Sequence, residues 1–245
     1  MHSDKLRQRR SPRFLSIIVP VLNEAALISP FLLHARVIAP QAEIIVVDGG
    51  SLDGTAELAE PLADRLLVVP RGRAAQMNAG AAIAQGDVLW FLHVDSTLPV
   101  AAVADIARLL QNPRIAGGCF RLRIQSERWI YRISDSLGNF GVDLFRLALG
   151  DHGIFCRRAA FRAIKGYREV PILEDAELYR KLRRTGRMQQ LPTFIISSPR
   201  AYEKSGPVRT TVTYFAILVL YLLGVRIETL NVMYRRLHHR EEMSA

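Results

Sequence analysis

The sequence predicts an α/β fold in which a mainly parallel sheet is flanked by helices. Short apolar runs alternate with segments of helical periodicity through the first half of the chain, as they do in successive βαβ units. The 245 residues are 49% hydrophobic, which is enough to bury one large core. We therefore expect one compact domain over 14–206, a flexible basic arm at 1–13 and an amphipathic or apolar helical extension at 207–245.

The elements of the first half follow from apolar periodicity and from capping residues. "FLSIIVPV" and "AEIIVVDGG" have the length and composition of buried strands, whereas "GRAAQMNAGAAIAQG" is typical of a closely packed helix. In chain order we expect a strand at 14–21, a helix in one or two pieces around Ser29 and Pro30, a strand at 42–50, a short helix opened by Asp53, a strand at 65–70, a helix at 72–86 and a strand at 87–96.

The pattern changes after Asn112. "GGCFRLRIQ" predicts a strand, and "ERWIYRISDSLGNFGVDLFRLALG" predicts one or two amphipathic helices that separate near Gly138 to Gly141. The aromatic and aliphatic side chains from Trp129 to Leu149 indicate a lid or a surface for an apolar acceptor. "HGIFCRR" is expected to return a strand to the sheet, and "LEDAELYRKLRRTG" is a helix with acids in its first turn and bases in its last.

The formal net charge of +10 is concentrated at the two ends of the chain. The N-terminal "MHSDKLRQRRSPR" lacks the apolar core and cleavage site of a secretory signal. The stretch at 214–225 lies between Arg209 and Arg226 and holds about a dozen apolar residues, fewer than the ~20 that span a bilayer. We expect it to lie on an anionic membrane surface, to form a homodimer interface or to pack on the core. Nucleic acid is not an expected partner, because no stacking platform or recognition helix accompanies the charge.

The two cysteines, Cys119 and Cys156, provide neither a disulfide framework nor the spacing of a zinc knuckle. A reducing compartment suits such a chain. We expect a cytoplasmic protein, either free or peripheral on the cytoplasmic face of the inner membrane.

Polar clusters follow each of the first four predicted strands. Ligands of open parallel sheets bind outside the carboxyl ends of the strands, where these clusters would meet. A glycine-rich turn lets backbone approach a ligand, and a carboxylate such as Asp48 can accept hydrogen bonds from a base or a ribose. The pattern therefore favours a nucleotide, although "DGGSLDGT" is also typical of a simple turn and helix cap. It matches neither the dinucleotide fingerprint nor the P-loop.

Four segments, in this order and spacing, resemble family 2 glycosyltransferases: "IIVPVLNE", "IIVVDGGSLDGT", "RGRAAQMNAGAAIAQGDVLWFLHVDS" and "LEDAELYRKL". The resemblance covers roughly Ser16 to Gly186, and the "LHVDS" and "GDHGIFCRR" variants are most similar to a small bacterial subgroup. It implies the GT-A fold, with a Rossmann-like sheet. It also implies the inverting transfer of a sugar from a nucleotide-diphosphate donor to a hydroxyl of an acceptor that the sequence does not name, with a lipid as one candidate.

The resemblance further implies two groups of residues on the donor side. One group would line the nucleotide pocket, with Asp48 on the base and Glu24 near the ribose or base: Pro20, Asn23, Glu24, Asp48, Gly49 and Asp53. The other would face the ribose and diphosphate: Arg71, Arg73, Gln76 and Asn78.

A divalent cation, Mn²⁺ or Mg²⁺, is also implied, because Asp95 matches the last acid of the D-x-D element that holds it. The first acid of that element is replaced, since the sequence has His93, Val94 and Asp95. Three roles are open for His93: it could donate or accept a hydrogen bond with the ribose, ligate Mn²⁺, or only fill the end of the strand.

The start of "LEDAELYRKL" matches the position of the general base, for which we expect Asp175, with Glu174 in reserve. The same two acids would also compensate the helix dipole. The acceptor side is expected at Gly150, Asp151, His152 and Gly153.

Two other functions are less well supported by the residues. A nucleotidyltransferase would carry a basic, glycine-rich loop directly after the first strand, where this chain has "VPVLNE". A nucleotide-binding, membrane-associated protein without transfer activity remains the second alternative.

Overall fold

The computed structural model of the chain describes residues 14–238, so the predicted arm at 1–13 and the last residues of the predicted extension lie outside the described residues. Its centre is a mixed sheet of eight strands: β1 (Leu15–Val21), β2 (Glu43–Asp48), β3 (Arg65–Val68), β4 (Val88–Phe91), β5 (Ser96–Thr97), β6 (Ile115–Ile124), β7 (Phe155–Arg157) and β8 (Arg187–Ser197). The strand order is β3-β2-β1-β4-β7-β6-β8-β5. All strands point the same way except β7 and β5, which run antiparallel to their neighbours. The predicted α/β fold with a mainly parallel sheet is confirmed.

Ten helices and one 3-10 turn at Gly150–His152 connect the strands within the described residues. The helices are α1 (Ala25–Ile38), α2 (Thr55–Ala59), α3 (Arg73–Ile83), α4 (Ala102–Leu110), α5 (Trp129–Phe145), α6 (Arg158–Ala163), α7 (Glu174–Leu182), α8 (Arg200–Ser205), α9 (Pro207–Leu222) and α10 (Ile227–His238).

Two apolar layers cover the sheet, one on each face. Alternation along β1 sends Ile17 and Val19 into the layer beneath α1, α2 and α4, and Ile18 into the layer beneath α3, α6 and α7. Because both faces are covered, the parallel strands are nearly continuous apolar runs. Their polar residues are therefore concentrated where the strands end.

Two helices are less interrupted than the sequence indicated. α1 continues through Pro30, because the side chains around it, including Phe31 and Leu32, are buried against the sheet. α5 is one helix that continues through Gly138 and Gly141. A helical glycine costs about 1 kcal/mol relative to alanine, and the packing of α5 on the domain outweighs that cost.

The sheet also differs from the sequence prediction in two places. β4 ends at Phe91, so His93 and Asp95 lie in the turn that follows the strand. β8 was not predicted, since Pro192 interrupts it. The strand tolerates this proline because β5 pairs only with Ile196 and Ser197, which leaves β8 an edge strand at Pro192.

The C-terminal helices dock on α5 through tyrosine rings. Tyr131 of α5 contacts Tyr202 of α8 edge to face at 5.6 Å, and Tyr202 contacts Tyr214 of α9 at 5.8 Å. Within residues 14–238 we find no helix with the length and apolar character that a bilayer span requires.

Candidate functional site

Asp48, at the end of β2, organises the glycine-rich turn that follows it. Its buried carboxylate accepts hydrogen bonds from the backbone N–H groups of Gly50 (3.0 Å) and Ser51 (2.8 Å), and the Ser51 hydroxyl donates a third. Gly50 has a φ of 89°, a left-handed conformation that favours glycine. The turn-and-cap interpretation of "DGGSLDGT" therefore holds locally, and the turn keeps its backbone close to the strand end.

The turns after β1 and β2 are bound to each other. Asn23 Oδ1 accepts a hydrogen bond from the N–H of Leu52 at 2.9 Å, and the Asp53 carboxylate accepts one from the N–H of Ala25 at 3.0 Å. Hydrogen bonds, first from the Thr55 hydroxyl and then from that backbone N–H, lower the pKa of Asp53. Pro20, Asn23, Glu24, Asp48, Gly49 and Asp53 are thus brought to one edge of the sheet, as the sequence predicts.

Two amides expected to face a ligand make internal contacts instead. Gln76 Nε2 donates to the carbonyl oxygens of Val21 (2.9 Å) and Val47 (2.8 Å), which joins the ends of β1 and β2. Asn78 donates to the Tyr167 carbonyl (3.0 Å) and accepts from its N–H (2.9 Å). Both amides hold the walls of the site, and a direct contact with ribose or diphosphate stays a prediction.

Acidic side chains from three segments meet beyond the ends of the strands. Asp95 follows β4, Asp151 lies in the 3-10 turn, and Asp175 lies in the first turn of α7. Burial, followed by the charge of Glu174, raises the pKa of Asp175 to about 7. Burial, followed by the charge of Asp95, raises the pKa of Asp151 to about 6. The cluster is therefore short of compensating positive charge.

Asp175 and Glu174 are held differently at the start of α7. The Tyr167 hydroxyl donates to Asp175 Oδ1 at 3.1 Å, whereas Glu174 Oε1 lies 3.3 Å from Arg73 Nη1. Leu173, immediately before them, has a φ of 62°. A leucine in this region is strained, and such strain clusters at functional sites.

Gly150 brings the 3-10 turn against both His93 and Asp175. A Cβ at Gly150 would lie 2.4 Å from His93 Nε2 and 2.5 Å from Asp175 Oδ2, so only glycine fits there without displacement. His93 Nε2 is buried and has no hydrogen-bond partner among residues 14–238. Burial, followed by the charge of Arg73, lowers the pKa of His93 to about 3. His93 is therefore a neutral imidazole with a free polar atom beside Asp175.

His152 and Gly153 of the acceptor-side turn point into the protein. His152 Nδ1 lies 3.1 Å from the Phe120 carbonyl oxygen, and burial lowers the pKa of His152 to about 4. The Gly153 carbonyl accepts a hydrogen bond from Trp90 Nε1 at 3.1 Å. These contacts fix the turn, and the two residues remain predicted acceptor contacts.

Arg200, which the sequence did not single out, links the turn after β1 to the turn after β4. Its guanidinium lies 2.6 Å from Glu24 Oε1 and 3.7 Å from Asp95 Oδ2. Burial raises the pKa of Asp95, and the Arg200 charge is the largest effect that opposes this. No local pattern in "SPRAYEK" marks such a residue, because both partners are distant in sequence.

Asp95 and its surroundings suit a cation that also binds substrate phosphates. Among the described residues there is no group of three or more histidine, cysteine or acidic side chains arranged to hold a metal ion. Mg²⁺ in phosphate-transfer sites often needs only one or two protein carboxylates, because waters and substrate oxygens complete its shell. The partly exposed Asp95, close to the undercompensated Asp151, fits that requirement.

Comparison with known proteins gives the family. Residues 16–165 match the sequence model described as "Glycosyl transferase family 2". The chain belongs to glycosyl transferase family 2. The family expected from the four sequence motifs is thereby confirmed.

Named relatives are consistent with this membership. Over 171 residues the chain is 32% identical to a "PGL/p-HBAD biosynthesis glycosyltransferase" of Mycobacterium bovis, with 64% of each protein covered. Over 184 residues it is 27% identical to an "Undecaprenyl-phosphate 4-deoxy-4-formamido-L-arabinose transferase" of Pseudomonas syringae, with 67% of this chain and 54% of that protein covered. The chain thus spans less than two thirds of the length of these relatives.

Solved structures show the same fold. A mannosyltransferase from Pyrobaculum calidifontis, in complex with GDP-Man and Mn²⁺, superposes with a TM-score of 0.65 at 20% identity, covering 86% of this chain and 63% of that one. A glucosyl-3-phosphoglycerate synthase from Mycobacterium tuberculosis, with Mn²⁺ and UDP-Glc, gives 0.55 at 19% identity, covering 74% and 70%. These likenesses confirm the GT-A fold.

Proposed function

We propose that the chain is an inverting glycosyltransferase that moves a sugar from a nucleotide-diphosphate sugar to a hydroxyl of a lipid-like acceptor. Membership of glycosyl transferase family 2 supports the reaction class. The observation that carries the proposal is the convergence of Asp95, Asp151 and Asp175, from three segments, beyond the carboxyl ends of the strands. In an open α/β sheet this is where ligands bind.

The donor nucleotide would lie against the linked turns after β1 and β2. The ordered backbone around Asp48 provides a rigid surface, and Glu24 lies at the same edge. Arg71 is exposed, and Arg73 is half exposed beside Glu174, so both arginines can reach the charged diphosphate. This arrangement supports binding of the base and ribose on the strand ends and of the phosphates near α3.

Asp95 would hold a divalent cation, Mn²⁺ or Mg²⁺. When bound, such an ion stabilises the negative charge that develops on the leaving diphosphate. Two of the solved structures that resemble this chain were obtained with Mn²⁺ and a nucleotide sugar, which supports the choice of cation for this chain. His93 keeps two roles in this proposal, as a second ligand or as a hydrogen-bond partner of the ribose.

Asp175 would act as the general base. A base must be within reach of the acceptor hydroxyl and must have a pKa near the working pH, and burial gives Asp175 a pKa of about 7. The Tyr167 hydroxyl fixes one carboxylate oxygen and leaves the other beside Gly150. Glu174 is paired with Arg73, so Asp175 is the better choice of the two.

The names of the relatives support a lipid-like acceptor. The name of one relative includes undecaprenyl-phosphate, and that of another includes PGL/p-HBAD biosynthesis. For this chain we propose an acceptor presented at the cytoplasmic face of the inner membrane.

The deciding experiment measures the melting temperature with UDP, GDP, CDP or dTDP and their sugars, each with Mn²⁺, Mg²⁺ or EDTA. A ligand at ~100 times its Kd adds about 2.7 kcal/mol to the free energy of unfolding. We expect one nucleotide to raise the melting temperature only with metal. Stabilisation that EDTA does not change would overturn the proposal of a divalent cation. The absence of any shift in melting temperature would overturn the proposal of a nucleotide-diphosphate donor.

Matched variants locate the metal effect. We expect Asp95→Asn to lose the metal-dependent part of the shift. Asp87→Asn removes an exposed carboxylate that pairs with Arg158 at 3.4 Å and should keep it. Equal responses of the two variants would contradict the assignment of Asp95.

A further inference from the structure

One side of α5 presents a continuous apolar stripe that no described residue covers. Its five members have between 37% and 67% of their surface exposed: Trp129, Ile133, Leu137, Phe140 and Leu144. At 100° per residue they fall within roughly 80° of arc. Scattered exposed hydrophobic residues are ordinary, but a contiguous stripe of this kind marks an interaction site. We call these five residues the α5 apolar face.

The opposite side of α5 is fixed to the domain. Asp135 accepts a hydrogen bond from the Ile124 N–H at 3.0 Å, and Asn139 accepts from the N–H of Leu122 (2.8 Å) and donates to its carbonyl (2.9 Å). These bonds anchor the helix on β6. The α5 apolar face is therefore the outward side of a docked helix.

The charges around the face are mainly positive. Arg128 and Arg132 lie exposed on the flank beside the apolar face, and Arg146 follows the end of the helix. Of the acids near the face, Asp135 is buried, Asp143 is 58% exposed and lies 4.0 Å from Arg121, and Glu127 is exposed just before the helix. An apolar face with aromatic residues and a basic flank is the pattern of a helix that lies in the interface of an anionic membrane.

The neighbouring helix α9 also exposes apolar side chains. It packs against α5 at Gly141, where a Cβ would meet Leu218 Cδ2 at 3.8 Å. Val208, Val212 and Phe215 are exposed on α9 at helical spacing.

The face is close to the proposed acceptor side. A Cβ at Gly138, on the inner side of α5, would lie 3.6 Å from His152 Nε2, in the turn that carries Gly150 and Asp151. Only α5, about 10 Å thick, separates that turn from the α5 apolar face. A surface bound by this face would lie one helix away from the proposed acceptor-side turn.

We propose that the α5 apolar face binds an anionic lipid bilayer, with α5 parallel to the membrane plane. Trp129, Phe140 and Leu144 enter the headgroup region, while Arg128 and Arg132 contact lipid phosphates. The inference deepens the proposed function, because it supplies the surface from which a lipid-like acceptor reaches Asp175. It can be tested without nucleotide, so its failure and that of sugar transfer are distinguishable.

Flotation of the full chain with vesicles tests the proposal. We use phosphatidylcholine vesicles with and without an equal amount of phosphatidylglycerol. Phe140→Ser/Leu144→Ser removes two apolar side chains that are 60% and 55% exposed, and Leu33→Ser/Val37→Ser removes two from α1 that are 57% and 76% exposed. We expect wild type and the α1 variant to float with anionic vesicles, and the α5 variant to bind at least about tenfold less, since each buried apolar side chain contributes more than the free energy of that factor.

Tryptophan fluorescence gives a second readout. The chain has two tryptophans, of which Trp90 is buried and Trp129 is two-thirds exposed. Anionic vesicles should shift the emission of wild type to the blue, and Trp129→Phe should remove the shift while it still floats. A wild type that neither floats nor shifts, or an α5 variant that floats like wild type, would overturn the proposal.

Sedimentation tests whether the α5 apolar face binds a second copy of the chain instead of a bilayer. If wild type is a dimer, Phe140→Ser/Leu144→Ser is a monomer and neither binds vesicles, the face joins copies and the membrane proposal is overturned. If the nucleotide panel succeeds in the same preparation, the donor site stands independently of that result.

Discussion

Arg200 lies 2.6 Å from Glu24, although 176 positions separate the two residues in the sequence. The same guanidinium is 3.7 Å from Asp95, so a protein cation lies between two carboxylates of the proposed donor site. Arg200 thus partly neutralises Asp95 in the absence of a metal ion. This relationship predicts how the site responds when either cation is removed.

Arg200→Gln should destabilise the protein in a way that Mn²⁺ reverses. Partly exposed ion pairs contribute about 0–1 kcal/mol, so we expect a decrease in melting temperature of up to about 4 °C at neutral pH. Mn²⁺ should recover most of it by taking over the charge beside Asp95. Arg36→Gln, which loses a pair with Asp64 at 2.8 Å, is the control and should show the loss without the recovery. The same response to Mn²⁺ in both variants would argue against a cation site at Asp95.

Asp175→Asn should abolish sugar transfer and stabilise the fold at alkaline pH. The pKa of Asp175 is raised from 3.8 to about 7 by burial and then by Glu174, so the folded state favours the protonated carboxyl. The protonated Asp175 therefore adds to the free energy of unfolding, and this contribution is fully present below pH 4 and is lost as pH rises through 7. We expect the variant and wild type to melt alike near pH 4, and the variant to melt at least about 2 °C higher at pH 8.

Melting curves at both pH values, together with nucleotide affinity, test this expectation. Affinity for the nucleotide should stay near that of wild type, because the hydrogen bond of Asp175 goes to Tyr167 and not to the turns after β1 and β2. Asp87→Asn, at a carboxylate that is 72% exposed, should change the melting temperature equally at both pH values. An Asp175 variant that still transfers sugar would remove this residue from the mechanism.

Gly150→Ala should reduce transfer without loss of the fold. The added Cβ would approach His93 Nε2 to 2.4 Å and Asp175 Oδ2 to 2.5 Å, so both side chains must move. Gly141→Ala is the control, because its Cβ meets nothing closer than 3.8 Å and a helical alanine gains about 1 kcal/mol. The readout is release of nucleotide diphosphate from the donor that binding identifies. A Gly150 variant as active as the Gly141 variant would show that this contact is unimportant.

Gln76→Leu should act on stability before it acts on the ligand. It removes the hydrogen bonds that the Val21 and Val47 carbonyl groups accept from Gln76, at about 0.5–1.5 kcal/mol for each bond, while Val21 keeps the one from the Gly49 N–H. We expect a decrease in melting temperature of at least about 2 °C, with weaker nucleotide binding as a consequence of the loosened strand ends. Gln111→Leu, at an exposed helix end, should be near neutral. If Gln76→Leu weakens nucleotide binding at unchanged melting temperature, the side chain contacts the ligand directly.

The first half of the fold was predictable because local signals define it. The alternation of Ile17, Ile18 and Val19 between the two faces of the sheet fixes β1, and polar residues after apolar runs mark where strands end. β8 was not predicted because Pro192 argues against a strand. The proline is tolerated because β5 pairs with only two residues of β8 and leaves the edge at Pro192 unpaired. α1 and α5 are single helices because packing overrides the local penalties of Pro30, Gly138 and Gly141.

The sequence by itself indicated the family and the GT-A fold through the order of its motifs, and its apolar periodicity marked the strand ends that carry Asp48 and Asp95, because both signals are properties of neighbouring residues. The position of Asp175 followed from the resemblance alone. The tertiary structure decided which polar side chains of the site are hydrogen-bonded within the protein and which can still bind a ligand. Gln76 turns inward to two carbonyl groups, while His93 Nε2, beside Gly150, has no partner in the described part of the chain. It also placed Arg200 between Glu24 and Asp95. Such contacts join segments far apart in the chain, so they depend on packing that no local pattern records.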